Sequence, residues 1–233
     1  MAESVRERVQ DVIERIARAA ARSGRPAESI RLVAVSKTQP AERVAEAYAA
    51  GLRVFGENYV QEAEGKIHAL PDAEWHLIGK LQGNKVKKAV SLFGWIQTID
   101  SQKLLADVSR RCAEGGISLP VLVEVNLGGE GSKAGVSPDE LPNMIESAAG
   151  LTGVRVCGLM AIPPDAEDPE ASRPLFARLR ELMERHASFG GAAGKMTELS
   201  MGMSNDFEVA IEEGATMVRV GTAIFGSRSR RER

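Results

Sequence analysis

Lys37 stands in the stretch LVAVSKTQP, residues 32–40, at the end of an apolar, β-branched run and just before a turn-forming proline. An amine there is informative, because burying an ammonium is costly unless it is paired or works as a neutral nucleophile. A second candidate region is LSMGMSNDFEVAIEEGATMVRVGTAIFG, residues 199–226. Gly202-Met203-Ser204 closes one apolar run and Asn205-Asp206 precede a helical pattern, so a hydroxyl and backbone N–H groups meet where an anion is favoured. The next run closes in Gly221-Thr222, a residue without a side chain beside a hydroxyl donor. Arg219 sits inside MVRVG, where alternation puts it on the same face as Met217 and Gly221. On an inward face its guanidinium needs a partner, either a ring nitrogen of a bound cofactor or an acidic residue such as Glu124. Each feature alone has a plainer reading as a solvated lysine, a helix cap or a packing glycine. Together they describe the needs of pyridoxal 5'-phosphate: a lysine for a Schiff base, a cradle for the phosphate and a partner for the pyridine nitrogen.

Elements in register must bring these residues together. Short apolar runs cover residues 31–37, 52–58, 74–80, 94–100, 119–126, 154–161, 197–204 and 216–226, and a helical pattern separates each from the next. A further helix precedes them, with Val5, Val9, Val12, Ile13 and Ile16 on one stripe and SGRP at 23–26 ending it. Strands alternating with helices imply parallel pairing, and eight such units predict an α/β fold, a single (β/α)8 TIM barrel with an extra N-terminal helix. An open doubly wound sheet is the alternative. With no break in composition, residues 1–233 read as one domain, comprising a leading helix at 1–25, the barrel and a basic tail at 227–233. No outer helix follows the last run, so the leading helix is expected to pack in that gap. Reacting groups in such a barrel gather where strands end, and Lys37, Asn58, Lys80, Asp100, Asn126 and Ser204 all close their runs.

Composition removes several function classes. The 233 residues carry 30 basic and 32 acidic side chains, so no global field draws the chain to nucleic acid or an anionic membrane. No apolar stretch has the length of a membrane span, and the N-terminus does not read as a signal peptide, which predicts a cytoplasmic protein. Cys112 and Cys157 have no metal or redox spacing, and His68, His76 and His186 form no local metal motif, so no metal is expected.

The segments VSKTQP, FGENYVQE, WHLIGKLQGNK, GLMAIPP, LSMGMSNDFEVAI and VRVGTAIFG resemble the pyridoxal phosphate homeostasis protein family, which is similar to the N-terminal barrel of alanine racemase. The resemblance runs from about Val33 to Gly226. It implies a fold-type III barrel with Lys37 as the Schiff-base lysine, Ser200, Ser204, Gly221 and Thr222 as phosphate contacts, and Arg219 as the ring-nitrogen partner. Asn58 and His76 would lie beside the ring. It also implies a carrier that hands pyridoxal phosphate to apo-enzymes, in place of strong catalysis.

The alternative is an amino-acid racemase acting through Lys37. An arginine at the ring nitrogen, a permanent donor, leaves that nitrogen unprotonated and weakens the ring as an electron sink, a feature that alanine racemases share. A chain of 233 residues has no room for the second domain of alanine racemases, and neither Tyr48 nor Tyr59 matches their catalytic tyrosine by motif. Without that domain a monomer is expected. Lys133 lies in the Gly-rich segment 126–141, where the resemblance implies a lysine that receives the aldehyde transiently, against the plain reading of a solvated loop lysine. Lys80, Lys85, Lys87 and Lys88 form a basic cluster that reads as a solvated helix face or a dock for an acidic partner.

Overall fold

The computed structural model describes residues 3–128, 134–164, 166–187 and 195–226, so Lys133 and the tail at 227–233 lie outside the described residues. Eight strands form the barrel: β1 Arg31–Val35, β2 Val54–Glu57, β3 Glu74–Leu77, β4 Trp95–Ile99, β5 Leu119–Glu124, β6 Val154–Met160, β7 Glu198–Ser200 and β8 Met217–Val220. Each pairs in parallel with the next, and β1 also pairs with β8 from Arg31↔Met217 to Ala34↔Val220, which closes the sheet. Both faces of these strands are covered, so they read as continuous apolar runs; all four residues of β8 are buried.

The helices are α1 Val5–Arg22, α2 Ala41–Ala49, α3 Val60–Ala69, α4 Val86–Leu92, α5 Gln102–Glu114, α6 Leu141–Ala148, α7 Arg173–His186, α8 Phe207–Glu212 and the single turn α9 Thr222–Phe225. Phe55, Trp75, Leu77, Ile99, Leu105, Phe176 and Phe207 belong to the large core cluster that joins sheet and helices. Leu122, Met160 and Met217 form a separate small cluster with Trp95 and Cys157 packed against it.

Helix α1 begins with a capping box, in which Ser4 Oγ accepts from the Glu7 N–H while the Glu7 carboxylate accepts from the Ser4 N–H at 2.7 Å. It packs against α2, α8 and α9 and so fills the place of the missing outer helix. Arg15 pairs with Glu208 at 2.9 Å, and Arg25 donates to the carbonyls of Ile211 and Ala215. Its buried stripe is Val5, Val9, Val12, Ile16, Ala19 and Ala20, whereas Ile13 is 42% exposed and leaves the predicted stripe, because it sits at the edge of that arc.

The run at 216–226 also divides. Gly221 leaves the extended region at φ −116°, ψ −73°, so the chain turns into α9 at Thr222 and only Met217–Val220 is strand. The other strands stop short of their apolar runs as well, which carries Lys37, Asn58 and Ser204 onto the loops beyond.

Candidate functional site

At the C-terminal mouth of the barrel a cavity of about 590 Å³ is lined by Val35, Lys37, Asn58, Ile78, Met203, Ser204, Asp206, Arg219, Gly221 and Thr222, with Ile162 and Pro163-Pro164 among its other walls. Lys37, Asn58, Ser204, Arg219, Gly221 and Thr222, six of the residues singled out in the sequence, therefore meet in one place.

His76 and Ser200 are not among the side chains that line this cavity. Both are fully buried inside the barrel, below the rim. The His76 ring stacks on Trp95 with centroids 5.4 Å apart and is bonded to Glu74 and Gln97. The Ser200 hydroxyl is held between Arg219 and Gln97. Both belong to inward faces of their strands, but a layer too deep to line the mouth.

The loop after β7 is fixed by its own polar contacts. Gly202 has φ +92°, and a Cβ there would come within 2.6 Å of the Ala210 methyl and 2.9 Å of the Phe207 Cα, so only glycine fits the turn. Asp206 accepts from the Met203 N–H at 2.7 Å and from the Ser172 hydroxyl at 2.9 Å. Ser204 Oγ in turn accepts from the N–H groups of Gly221 and Ala223, at 3.1 and 3.2 Å, which ties this loop to the one after β8. A hydroxyl and backbone N–H groups from two loops thus converge at one side of the cavity.

Arg219 forms the floor. Nη1 donates to Ser200 Oγ at 2.6 Å and Nη2 to the Ala161 carbonyl at 2.8 Å. Glu124 and Asp206 act on it through space, without a hydrogen bond, so Glu124 is not its direct partner. Burial lowers the guanidinium to about 10, which leaves it charged at neutral pH.

The backbone around Lys37 is clamped by a cluster that the sequence reading missed. Lys66 of α3 is buried, and its ammonium donates to the Ser36 carbonyl at 2.7 Å and to Glu57 and Glu62 at 2.8 Å each. Ser36 Oγ donates to Glu57 at 2.6 Å, and the Thr38 N–H donates to Glu62 at 2.5 Å. Residues on both sides of Lys37 are thereby fixed. Thr38 has φ +64°, a left-handed conformation that costs a β-branched residue about 1–3 kcal/mol and persists where surrounding bonds hold it. Burial pushes the Glu57 carboxyl up, against the hydrogen bonds from Lys66 and Ser36 that pull it down, and its Oε2 has no partner among the described residues. The available signal was Glu62 and Lys66 four residues apart on a helix, a spacing that by itself reads as a surface pair.

A second cavity of about 330 Å³ shares Asn58, Ile78, Ile162, Pro163 and Pro164 with the first and adds Lys80, Thr98, Glu124 and Asn126. Among the described residues no three His, Cys, Asp or Glu converge as metal ligands, and no helix is long and apolar enough to cross a membrane.

Comparison with known proteins places this geometry in a family. The family model described as alanine racemase, N-terminal domain, matches residues 9–229. A protein of Aquifex aeolicus named pyridoxal phosphate homeostasis protein is 47% identical over 224 residues, covering 95% of this chain and 97% of the relative. One of the same name in Pseudomonas aeruginosa is 44% identical over 227 residues, covering 97% of this chain and 96% of the relative. The solved structure of PipY from Synechococcus elongatus, which has pyridoxal phosphate bound, superposes with a TM-score of 0.80 at 42% identity, covering 92% of this chain and all of that one. The chain belongs to the pyridoxal phosphate homeostasis protein family, whose barrel is of the alanine racemase N-terminal type.

Proposed function

We propose that the chain binds pyridoxal 5'-phosphate at the C-terminal mouth and serves as a carrier of the cofactor, holding it through a Schiff base on Lys37 and handing it to apo-enzymes in the cytoplasm. The observation that carries this reading is one cavity shared by Lys37, Arg219 and the two tied loops at Ser204 and Gly221-Thr222. When bound, the cofactor supplies an aldehyde that a primary amine condenses with, releasing water.

The donor set fits such a group. Lys37 offers an amine at one wall. The Ser204 hydroxyl, oriented by the Gly221 and Ala223 N–H groups, and Thr222 offer donors for a phosphate at another, and a side chain on Gly221 would press on Val35 at 3.3 Å. Arg219 is a donor with no directly bonded carboxylate, so it can face a ring-nitrogen lone pair. Asn58 lines the remaining side. His76 and Ser200 lie buried beneath these donors.

One feature favours a carrier over a racemase. The cavity walls include no tyrosine among the described residues; Tyr59 is 62% exposed and Tyr48 lies under the Arg53 guanidinium at 4.2 Å. The test is to add the cofactor to purified protein and follow its long-wavelength absorption, then supply single amino acids in deuterated water. The carrier predicts a new band that Lys37→Ala abolishes, with no sustained deuterium uptake at the α-carbon. Sustained racemisation that disappears in Lys37→Ala would refute it.

A further inference from the structure

A single file of hydrogen bonds runs down the barrel interior from the cavity to the opposite mouth. Arg219 Nη1 bonds to Ser200 Oγ at 2.6 Å, Ser200 Oγ to Gln97 Oε1 at 2.6 Å, Gln97 Nε2 to His76 Nδ1 at 2.7 Å, and His76 Nε2 to Glu74 Oε1 at 2.6 Å. Ser200, Gln97 and His76 are completely buried, while the Glu74 side chain, at the N-terminal start of β3, is 42% exposed.

Chemistry fixes the direction of every link. Arginine only donates and a carboxylate only accepts. Glu74 therefore accepts from the Nε2–H of His76, and a neutral imidazole then accepts at Nδ1 from the Gln97 amide. That turns the Gln97 carbonyl toward Ser200, whose hydroxyl donates to it and accepts from Arg219. Burial holds His76 below its ordinary value, in keeping with a neutral ring that accepts on one side and donates on the other.

Barrel interiors are ordinarily filled by layers of branched aliphatic side chains, and buried polar groups are tolerated only when fully bonded. This barrel gives that space to three polar residues, so the chain has a use that aliphatic packing would not supply. A carboxylate bonded directly to Arg219 would occupy donors that face the cavity. A relay grips one edge of the guanidinium, with Ala161 O on Nη2, and leaves no carboxylate bonded to it.

We propose that Ser200, Gln97, His76 and Glu74 are positioning residues that orient Arg219 toward the cofactor ring and connect it to a counter-charge at the opposite end of the barrel. This role rests on the cofactor reading given above. The chain itself does not, and its signature is readable without cofactor.

Nitrogen NMR of the cofactor-free protein is expected to show His76 protonated at Nε2 and bare at Nδ1. In cofactor titrations, Ser200→Ala is expected to weaken binding by on the order of tenfold and to shift the absorption band of the bound cofactor, with borohydride still trapping it on Lys37. Glu74→Gln, a half-exposed change that spares the fold, is expected to shift the band in the same direction by a smaller amount. A proton on Nδ1 of His76, or a Glu74→Gln protein with the band and affinity of the original, would overturn the proposal. Failure of the unmodified protein to take up cofactor would overturn the cavity reading and this role together. An Nε2 proton would still establish the hydrogen-bond chain in that event, which separates the two failures.

Discussion

Lys37 and Lys66 both approach the end of β1, in surroundings of opposite kind. Lys66 reaches from α3 into the space between sheet and helices, where Glu57, Glu62 and the Ser36 carbonyl accept from its ammonium. Lys37 leads from the strand onto a cavity furnished with a hydroxyl, backbone N–H groups and a guanidinium. The first lysine has an acceptor for each of its three hydrogens and serves as a structural cation. The second lines a cavity with room for an incoming group. Residue type alone does not separate a lysine at a cavity wall from one held in an ion cluster. What the side chain faces does.

Removing the structural cation has the largest expected effect on stability. Lys66→Met leaves Glu57 as an uncompensated buried carboxylate and is expected to cost about 3–5 kcal/mol in chemical denaturation. The double variant Lys66→Met, Glu57→Leu removes both charges and is expected to recover most of that loss. If the single variant is as stable as the parent, the clamp around Lys37 carries no strain and the comparison fails.

On the cavity side the next effect is smaller and specific to phosphate. Ser204→Ala removes the acceptor that ties Gly221 to the β7 loop and is expected to weaken pyridoxal phosphate binding by about 1 kcal/mol. Pyridoxal without phosphate should bind both proteins alike in a fluorescence titration. Equal losses for the two ligands would mean that Ser204 shapes the mouth as a whole.

A pH profile sharpens the view of the interior below the site. Burial lowers His76 more than Glu74 raises it; Arg31 also lowers it and Glu198 raises it slightly. The unfolded chain therefore binds the proton more readily, so stability falls as pH drops through the ordinary histidine value of about 6.5 and levels off below the folded value. His76→Asn should flatten that part of the profile, as measured by melting temperature between neutral and mildly acid pH. An unchanged slope would assign the dependence to other groups. The smallest effect belongs to the exposed pair Lys88–Glu64, where Lys88→Ala is expected to leave the denaturation midpoint nearly unchanged, although the pair is only 2.6 Å long, because solvent screens it.

The rim was the legible part of the molecule. Lys37, Asn58 and Ser204 each follow an apolar run, and the rule that active groups gather at strand ends suffices to bring them together. For His76 and Ser200, alternation tells which face they take but not their depth along the barrel axis, which depends on how neighbouring strands are staggered. The Glu57–Lys66–Glu62 cluster was missed because its members are ordinary surface types, and only the packing of α3 against β2 buries Glu57 and Lys66. The end of β8 was overrun because Thr222–Phe225 is as apolar as a strand, and the turn at Gly221 is a matter of backbone angle.

The most direct test of the central claim is to load the protein with pyridoxal phosphate, reduce with borohydride, digest, and locate the added phosphopyridoxyl mass by tandem mass spectrometry. The account predicts that mass on the peptide containing Lys37 and none on the peptide containing Lys66. Label confined to another lysine, or none after saturation with cofactor, would contradict it.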